Sequence, residues 1–309
     1  MSLALQVVLT GLGAGGVYGL VAIGHTLIYR LTGIVNFALG DVIGLGVFAT
    51  LFVAAGTGAV AQRSVAAPRF LVAIAVGLAV CAVASAGSYA YAVAPYVARG
   101  WTLGWVAATV AVAFAIRTTL DAVFSRSAYV FPDPLPFRRI GREGFVTLAG
   151  ASVQVRTFYV IAVSLVVAAV ATLTLERTRF GRGLQAVAAD VEGARVVGIP
   201  VERYVALAFA AAGGIAALAA VAAAPSAPFD VGAGTLLGLK GLVAALLVRF
   251  SSPVRAFVAG LGVGVLEAAA AGLVVAGYQL GPQYRDVVPL ALALLLLLAR
   301  KPRFAELVE

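Results

Sequence analysis

The stretch ERTRFGRGLQAVAADVEGARVVGIPVER, Glu176–Arg203, lies between two long apolar runs at 157–175 and 204–224. Nine charged residues fall in its 28 positions: Arg177, Arg179, Arg182, Arg195 and Arg203, with Glu176, Asp190, Glu192 and Glu202. The chain as a whole is 62% hydrophobic and only 11% charged, against about 25% charged residues in soluble domains. That leaves too little polar surface to cover a soluble globule. The flanking runs match the roughly 20 apolar residues of a membrane-crossing helix, so the island stands outside the hydrocarbon that its neighbours cross. Two crossings joined by a charged, helix-prone island set the fold class: an all-α polytopic membrane protein.

Outward from the island, nine spans are expected in a bundle of about eight to ten helices, at 5–29, 38–56, 69–97, 101–120, 157–175, 204–224, 233–249, 256–276 and 287–299. The runs are long and helical in type, unlike the short alternating strands of an outer-membrane barrel. The last run is short and 233–249 is interrupted by Lys240, so either is expected to be a partial or tilted helix. The amino terminus lacks a basic n-region and reads as a first span, not a cleaved signal. Residues 1–309 form one transmembrane domain with two long loops, 121–156 and 176–203. Pro132, Pro134 and Pro136 deny the first of these a helix, while FVTLAGASVQV alternates like a short hairpin. It is expected as an extended surface loop on the extracytoplasmic side.

The net charge of +9 reads as loop arginines obeying the positive-inside rule, not as a nucleic-acid surface. With the island inside, twelve basic residues fall on its side of the membrane and nine on the other, a margin that does not settle orientation. One cysteine, Cys81, and one histidine, His25, exclude an internal disulfide and the usual thiol or metal clusters; no metal and no cofactor is expected. No G-x-x-x-x-G-K-[ST] or G-x-S-x-G match occurs. A transport role without its own ATPase site is expected, not an enzyme or a scaffold. Energy would come from an ion gradient or from another subunit.

Inside the apolar runs, Gly11, Gly15 and Gly19 stand four apart, as do Gly260, Gly264, Ala268 and Gly272. Such stripes let helix backbones approach closely in lipid. In GIVNFALGD, Gly33–Asp41, glycines flank Asn36 and Asp41 with almost no loop between two runs, so a sharp turn or broken helix is expected. Asp41 fits a helix-start role or a pathway role. His25, Lys240 and Glu267 each sit within an apolar run, where a Lys or Asp costs about 2.5–3.5 kcal/mol at a helix centre. With Asn36 and Asp41 they are the candidate translocation residues; Lys240 and Glu267 would neutralise each other if they met. Within the island, FGRG opens a segment that, read as a helix, puts Leu184, Val187, Val191 and Ala194 on one apolar face. Gly198 ends that helix and Pro200 follows. A greasy face outside the membrane needs a protein groove or the membrane surface.

Three segments carry a resemblance. GLGAGGVYGLVAIGHTLIYRLTGIVNFALGD, RTRFGRGLQAVAADVEGARVVGI and GLKGLVAALLVRFSSPVRAFVAGLGVGVLEA are similar, in order and over roughly the whole chain, to the branched-chain amino acid ABC transporter permeases of the LivH type. The resemblance implies a multi-pass permease of the bacterial cytoplasmic (inner) membrane, part of an ATP-driven importer. It implies two cytoplasmic ABC ATPase subunits, a second related permease in a heterodimer, and a periplasmic or lipid-anchored substrate-binding protein. It makes 176–203 a cytoplasmic coupling loop, with Phe180, Gly181, Arg182, Glu192, Ala194, Arg195 and Gly198 as coupling residues and a helix around Gln185–Val197 entering an ATPase groove. Two positions depart from the pattern. Leu39 stands where the family's N-F-A-H-G-[DE] has histidine, and His25 stands where an apolar residue is usual. Branched-chain or other amino acids are the implied cargo. Related permeases carry urea or short amides. An ion-coupled secondary transporter using Asp41, Glu267 and His25 is the alternative from a different class.

Overall fold

The computed structural model describes residues 2–56, 65–97, 104–124, 128–132 and 144–271, with isolated positions and the strands Val274–Val275 and Tyr278–Gln279 besides. Eight of the nine expected spans are helices: α1 Ser2–Thr32, α2 Leu39–Ala55, α3 Ala67–Gly87 continued by a π-helical Ser88–Val93 and α4 Ala94–Val97, α5 Gly104–Val123, α6 Val155–Arg177, α9 Val201–Ala223, α10 Ala233–Leu247 and α11 Pro253–Ala271. The ninth, 287–299, lies outside the described residues but for Val287, Ala291 and Leu295. Six of these helices are long and apolar enough to cross a membrane. The outward faces of α3, α5 and α6 expose Leu71, Val83, Phe114 and Val166 at 62–72%, a surface suited to hydrocarbon or a protein neighbour but not to water.

α1 ends because Gly33 takes the left-handed conformation, φ 67°, and its N–H closes on the Tyr29 carbonyl. Asn36 then turns the chain: its Oδ1 accepts from the Ala38 N–H at 3.1 Å while its Nδ2 donates to Ser88 Oγ at 3.2 Å. GIVNFALGD is thus a break between two helices, as its composition implies. α2 and α10 are short. At 1.5 Å per residue their 17 and 15 residues reach about 25 Å and 22 Å, less than the ~30 Å hydrocarbon core. They overlap antiparallel at their first turns, Gly40 beside Gly238 and Gly44 beside Gly234; a Cβ on Gly234 would stand 2.8 Å from the Gly44 backbone.

The two expected glycine stripes meet each other. A Cβ on Gly15 would stand 2.7 Å from Leu261 Cα and 2.8 Å from the Gly260 carbonyl, so α1 and α11 are in backbone contact. Lys240 lies inside α10, the expected partial helix, and Glu267 of α11 neutralises its ammonium at 2.9 Å. Expected as a surface loop, 121–156 is only partly so. Residues 145–148 and 151–154 form the antiparallel hairpin β1–β2, but Phe124, Tyr129 and Phe131 are buried. Tyr129 exchanges backbone hydrogen bonds with Phe229, and Phe48 of α2 packs on Phe124, Tyr129 and Phe229. The molecule so has a hairpin end, with β1–β2 and the 224–232 turn, and an opposite end formed by the charged island.

Candidate functional site

The island is two helices and not one: α7 Arg179–Ala189 and α8 Val191–Val196. Two side chains define them. Thr178 Oγ1 accepts from the Gly181 N–H at 3.1 Å and caps α7. Asp190 Oδ1 accepts from the Gly193 N–H at 3.0 Å and caps α8, which breaks the expected helix over Gln185–Val197. Asp at this position is among the preferred caps. The C-terminus of α8 closes on Gly198, φ 83°: the Ile199 N–H reaches the Ala194 carbonyl and the Gly198 N–H that of Arg195, a Schellman arrangement.

The apolar face is not on offer to a partner. Leu184, Val187 and Ala194 are buried in the same cluster as Leu27, Leu31, Val201 and Val205, so the protein's own bundle supplies the groove. Val191, expected on that face, is 37% exposed because the break at Asp190 rotates α8. The coupling residues read from sequence divide accordingly. Gly181 lies against the Leu175 carbonyl, where a Cβ has no room; Phe180 stacks on Tyr204 of α9 at 5.7 Å; Ala194 faces the core. Arg182, Glu192, Arg195 and Gly198 face outward. Arg195 bonds Glu202, in the first turn of α9, at 2.8 Å and stands 3.9 Å from Glu192, whose side chain is 91% exposed. Beside them Val196 and Val197 are 87% and 74% exposed. Sequence reasoning missed this pair, since it sought apolar residues on one helical face and these follow at the capped end.

The candidate pathway residues are all buried, but they form separate groups. Lys240 Nζ contacts Glu267 Oε2 at 2.9 Å and Tyr18 Oη at 3.1 Å, and Tyr18 Oη donates to Glu267 at 2.7 Å. Tyr18 had no signal in sequence, standing 222 and 249 residues from its partners. Asp41 lies in the first turn of α2 and accepts from Thr235 Oγ1 of α10 at 2.7 Å; Arg117 of α5 is close enough to act on it as a countercharge. It therefore ties the two short helices together at their crossing. His25 Nε2 lies 3.2 Å from the Gly238 carbonyl, so the proton is assigned to Nε2, and Nδ1 has no hydrogen-bond partner among the described residues. Asn36 and Ser88 join the helix break to the π-helical turn of α3, a geometry often found at functional positions.

Two hollows flank these groups. One, about 410 Å³, lies at the hairpin end between α1, α6, α9 and α10. The other, about 370 Å³, lies at the island end, bounded by Arg30, Glu176, Gln185 and Ser252. Among the described residues no group of three or more His, Cys, Asp or Glu could hold a metal.

Comparison with known proteins bears on this arrangement. A family model described as branched-chain amino acid transport system / permease component matches residues 7–297. The high-affinity branched-chain amino acid transport system permease protein BraD of Pseudomonas aeruginosa is 28% identical over 299 residues, 96% of this chain and 94% of that protein. The corresponding permease proteins LivH of Salmonella typhimurium and Escherichia coli are each 27% identical, over 95% of this chain and 92% of theirs.

Proposed function

The chain belongs to the branched-chain amino acid transport permease family, and from that premise we propose that α7 and α8 are the surface through which a separate ATPase drives it. As a member of that family it is a membrane-spanning permease subunit of an ABC importer. In the proposed arrangement the island end faces the cytoplasm and the hairpin end faces out, in the cytoplasmic membrane of a bacterium. Two ATPase subunits, a second related permease and a substrate-binding protein complete the importer. The permease has no ATP site of its own. Its cargo is a small amino acid, with the branched-chain class favoured by the names of its relatives.

The observation that carries this reading is a rim that faces out on a base that cannot move alone. Glu192, Arg195, Val196 and Val197 are exposed, while Leu184, Val187 and Ala194 lock the same two helices to the bundle. Exposed apolar side chains with charges around them match the apolar centre and polar rim of a docking patch. A push there has a defined route. The Arg195–Glu202 bridge and the Phe180–Tyr204 stack join α8 and α7 to the start of α9. α9 in turn touches α3, where Ser85 Oγ donates to the Phe209 carbonyl at 2.6 Å, and α1, where Gly24 lies against Ala212. Motion of the island thus reaches α1, which carries His25, and α3, whose π-helical turn holds Ser88 against Asn36.

Glu192→Lys and Val197→Asp test the reading, because both side chains are outside the core and the fold should survive. In proteoliposomes holding the complete importer, uptake is expected to fall about tenfold or more, a docking loss above about 1.4 kcal/mol. Normal uptake by both variants would remove the coupling role.

A further inference from the structure

The hollow at the island end, about 370 Å³ between α1, α6, α7 and α11, has the size of a small-ligand pocket. Two of its lining residues carry charge, Arg30 of α1 and Glu176 of α6. Both are exposed, and among the described residues neither has an ion-pair or hydrogen-bond partner, not even the other. Leu27, Leu31, Leu175 and Leu184 form apolar walls. Gln185 Nε2 donates to the Leu175 carbonyl at 2.8 Å, which leaves its Oε1 able to accept. Ser252 and Val254 bring the start of the 19-residue α11 to the lining, and with it the positive end of a helix dipole.

A singly charged ligand suits only half of this lining: an anion leaves Glu176 unmatched, and a cation leaves Arg30. A zwitterion matches both, its anionic group toward Arg30 and the first turn of α11, its ammonium toward Glu176 and Gln185 Oε1. The depth of the hollow says where such a ligand comes from. α1 ends at Thr32 and α6 at Arg177, and both are long and apolar enough to cross a membrane. Arg30 and Glu176 therefore stand at the level of the lipid headgroups. Pockets between helices at this depth hold headgroups; a wholly basic one takes an anionic lipid, and Glu176 makes this one different. Along the same helices, toward the hydrocarbon, Leu165 and Leu173 of α6 and Val254 and Val258 of α11 are 49–58% exposed. An acyl chain lying on those side chains keeps its headgroup at the hollow. We infer that this hollow is a phospholipid site in which Arg30 takes the phosphate and Glu176 the ammonium of a phosphoethanolamine headgroup. Phosphocholine has the right charges, but its quaternary nitrogen has no N–H to donate to Glu176. Phosphoglycerol has no ammonium and sets a net negative charge beside that carboxylate. The site needs only that the chain crosses a membrane, so it stands or falls apart from the coupling role of α7 and α8.

The test uses the full chain in nanodiscs, with Val258→Cys labelled by bimane. Val258 is exposed on α11 one turn beyond Val254 and does not line the hollow; the native Cys81 is buried and serves as the unreactive background. Phosphatidylethanolamine, phosphatidylcholine and phosphatidylglycerol, each brominated in its acyl chains, are mixed in turn with the unbrominated lipids, and quenching of the bimane gives their relative binding constants. Phosphatidylethanolamine should be favoured about tenfold over the other two, the worth of a hydrogen bond to a charged group. Glu176→Gln should bring its preference over phosphatidylcholine close to unity. Glu176→Lys, which leaves two cations in the lining, should reverse the order in favour of phosphatidylglycerol. Both variants replace an exposed side chain without partners among the described residues, so the fold should survive. Quenching that follows mole fraction for all three lipids, a preference of the unsubstituted lining for phosphatidylglycerol, or an order unchanged by Glu176→Lys would each overturn the site. Loss of the quenching on addition of millimolar O-phosphoethanolamine, which has no acyl chains, would assign the hollow to a free zwitterion and overturn the lipid. No quenching by any brominated lipid would mean that protein covers this face, and would overturn it equally.

Discussion

Gly213→Ala and Gly214→Ala are neighbouring substitutions on α9 with opposite expected signs. A Cβ on Gly213 would stand 2.8 Å from Ser85 Cβ and 3.0 Å from the Cys81 carbonyl oxygen of α3; on Gly214 it would meet nothing within 4 Å. Both variants gain the same intrinsic helix preference, about 0.8–1.0 kcal/mol, so their difference isolates the contact between α9 and α3. Overpacking costs about 1–3 kcal/mol. The contact also carries Ser85 Oγ to the Phe209 carbonyl at 2.6 Å and Cys81 Sγ to the Gly213 carbonyl at 3.2 Å. Separating the helices stretches both bonds, which places the cost in the upper part of that range. Gly214→Ala should therefore stabilise by about 1 kcal/mol and Gly213→Ala should destabilise by about 1–2 kcal/mol. The gap of about 2–3 kcal/mol corresponds to roughly 4–12 °C in melting temperature, at about 2–4 °C per kcal/mol. Denaturant titration in detergent micelles, followed by circular dichroism, reads it directly. A Gly213→Ala protein as stable as Gly214→Ala would refute the close approach of α9 to α3, and with it the route by which the island reaches Ser85.

Two further substitutions probe the ends of the molecule. Asp190→Ala removes the cap that starts α8 at a cost of about 1 kcal/mol; faster amide exchange at Gly193–Val197, with α9 unchanged, is the expected result. Phe48→Ala opens a hole where the ring now meets Phe124 at 4.6 Å and Tyr129 at 5.7 Å. A loss of about 3–5 kcal/mol, seen in the melting temperature, and new protease cleavage at 128–132 should follow; unchanged resistance would mean that the buried loop is not anchored on α2.

Helix positions could be read because a segment in hydrocarbon must satisfy its own backbone hydrogen bonds. Hydropathy alone therefore placed α1, α3, α6 and α9 to within a few residues. The hairpin 145–154 was legible from alternation, and the break at Gly33–Ala38 from glycines beside Asn36. Lys240 marked α10 as a partial helix, and α10 is short at 15 residues; the counterion that lets a charge lie in it could not be read. The island did mislead, for a related reason. Periodicity shows that Leu184, Val187 and Ala194 share a face, but it does not say what covers that face. The capping preference of Asp190 was the signal that α7 and α8 are separate, and the apolar repeat masked it.

The sequence by itself determined that this chain crosses a membrane many times, where a charged island stands clear of the lipid, and that His25, Lys240 and Glu267 sit within apolar runs. Those properties are local, fixed by the free energy of moving each segment out of water. Which polar groups meet was decided by the tertiary structure alone. Lys240 and Glu267 are 27 residues apart and Tyr18 more than 200 from either, and they converge because glycine seams bring α1 against α11 and, at Gly241 beside Val21, α10 against α1. The island's greasy side turned inward for the same reason: packing against Leu27, Leu31 and Val201 buries it within the chain, and leaves Glu192, Val196 and Val197 as the surface that a partner would meet.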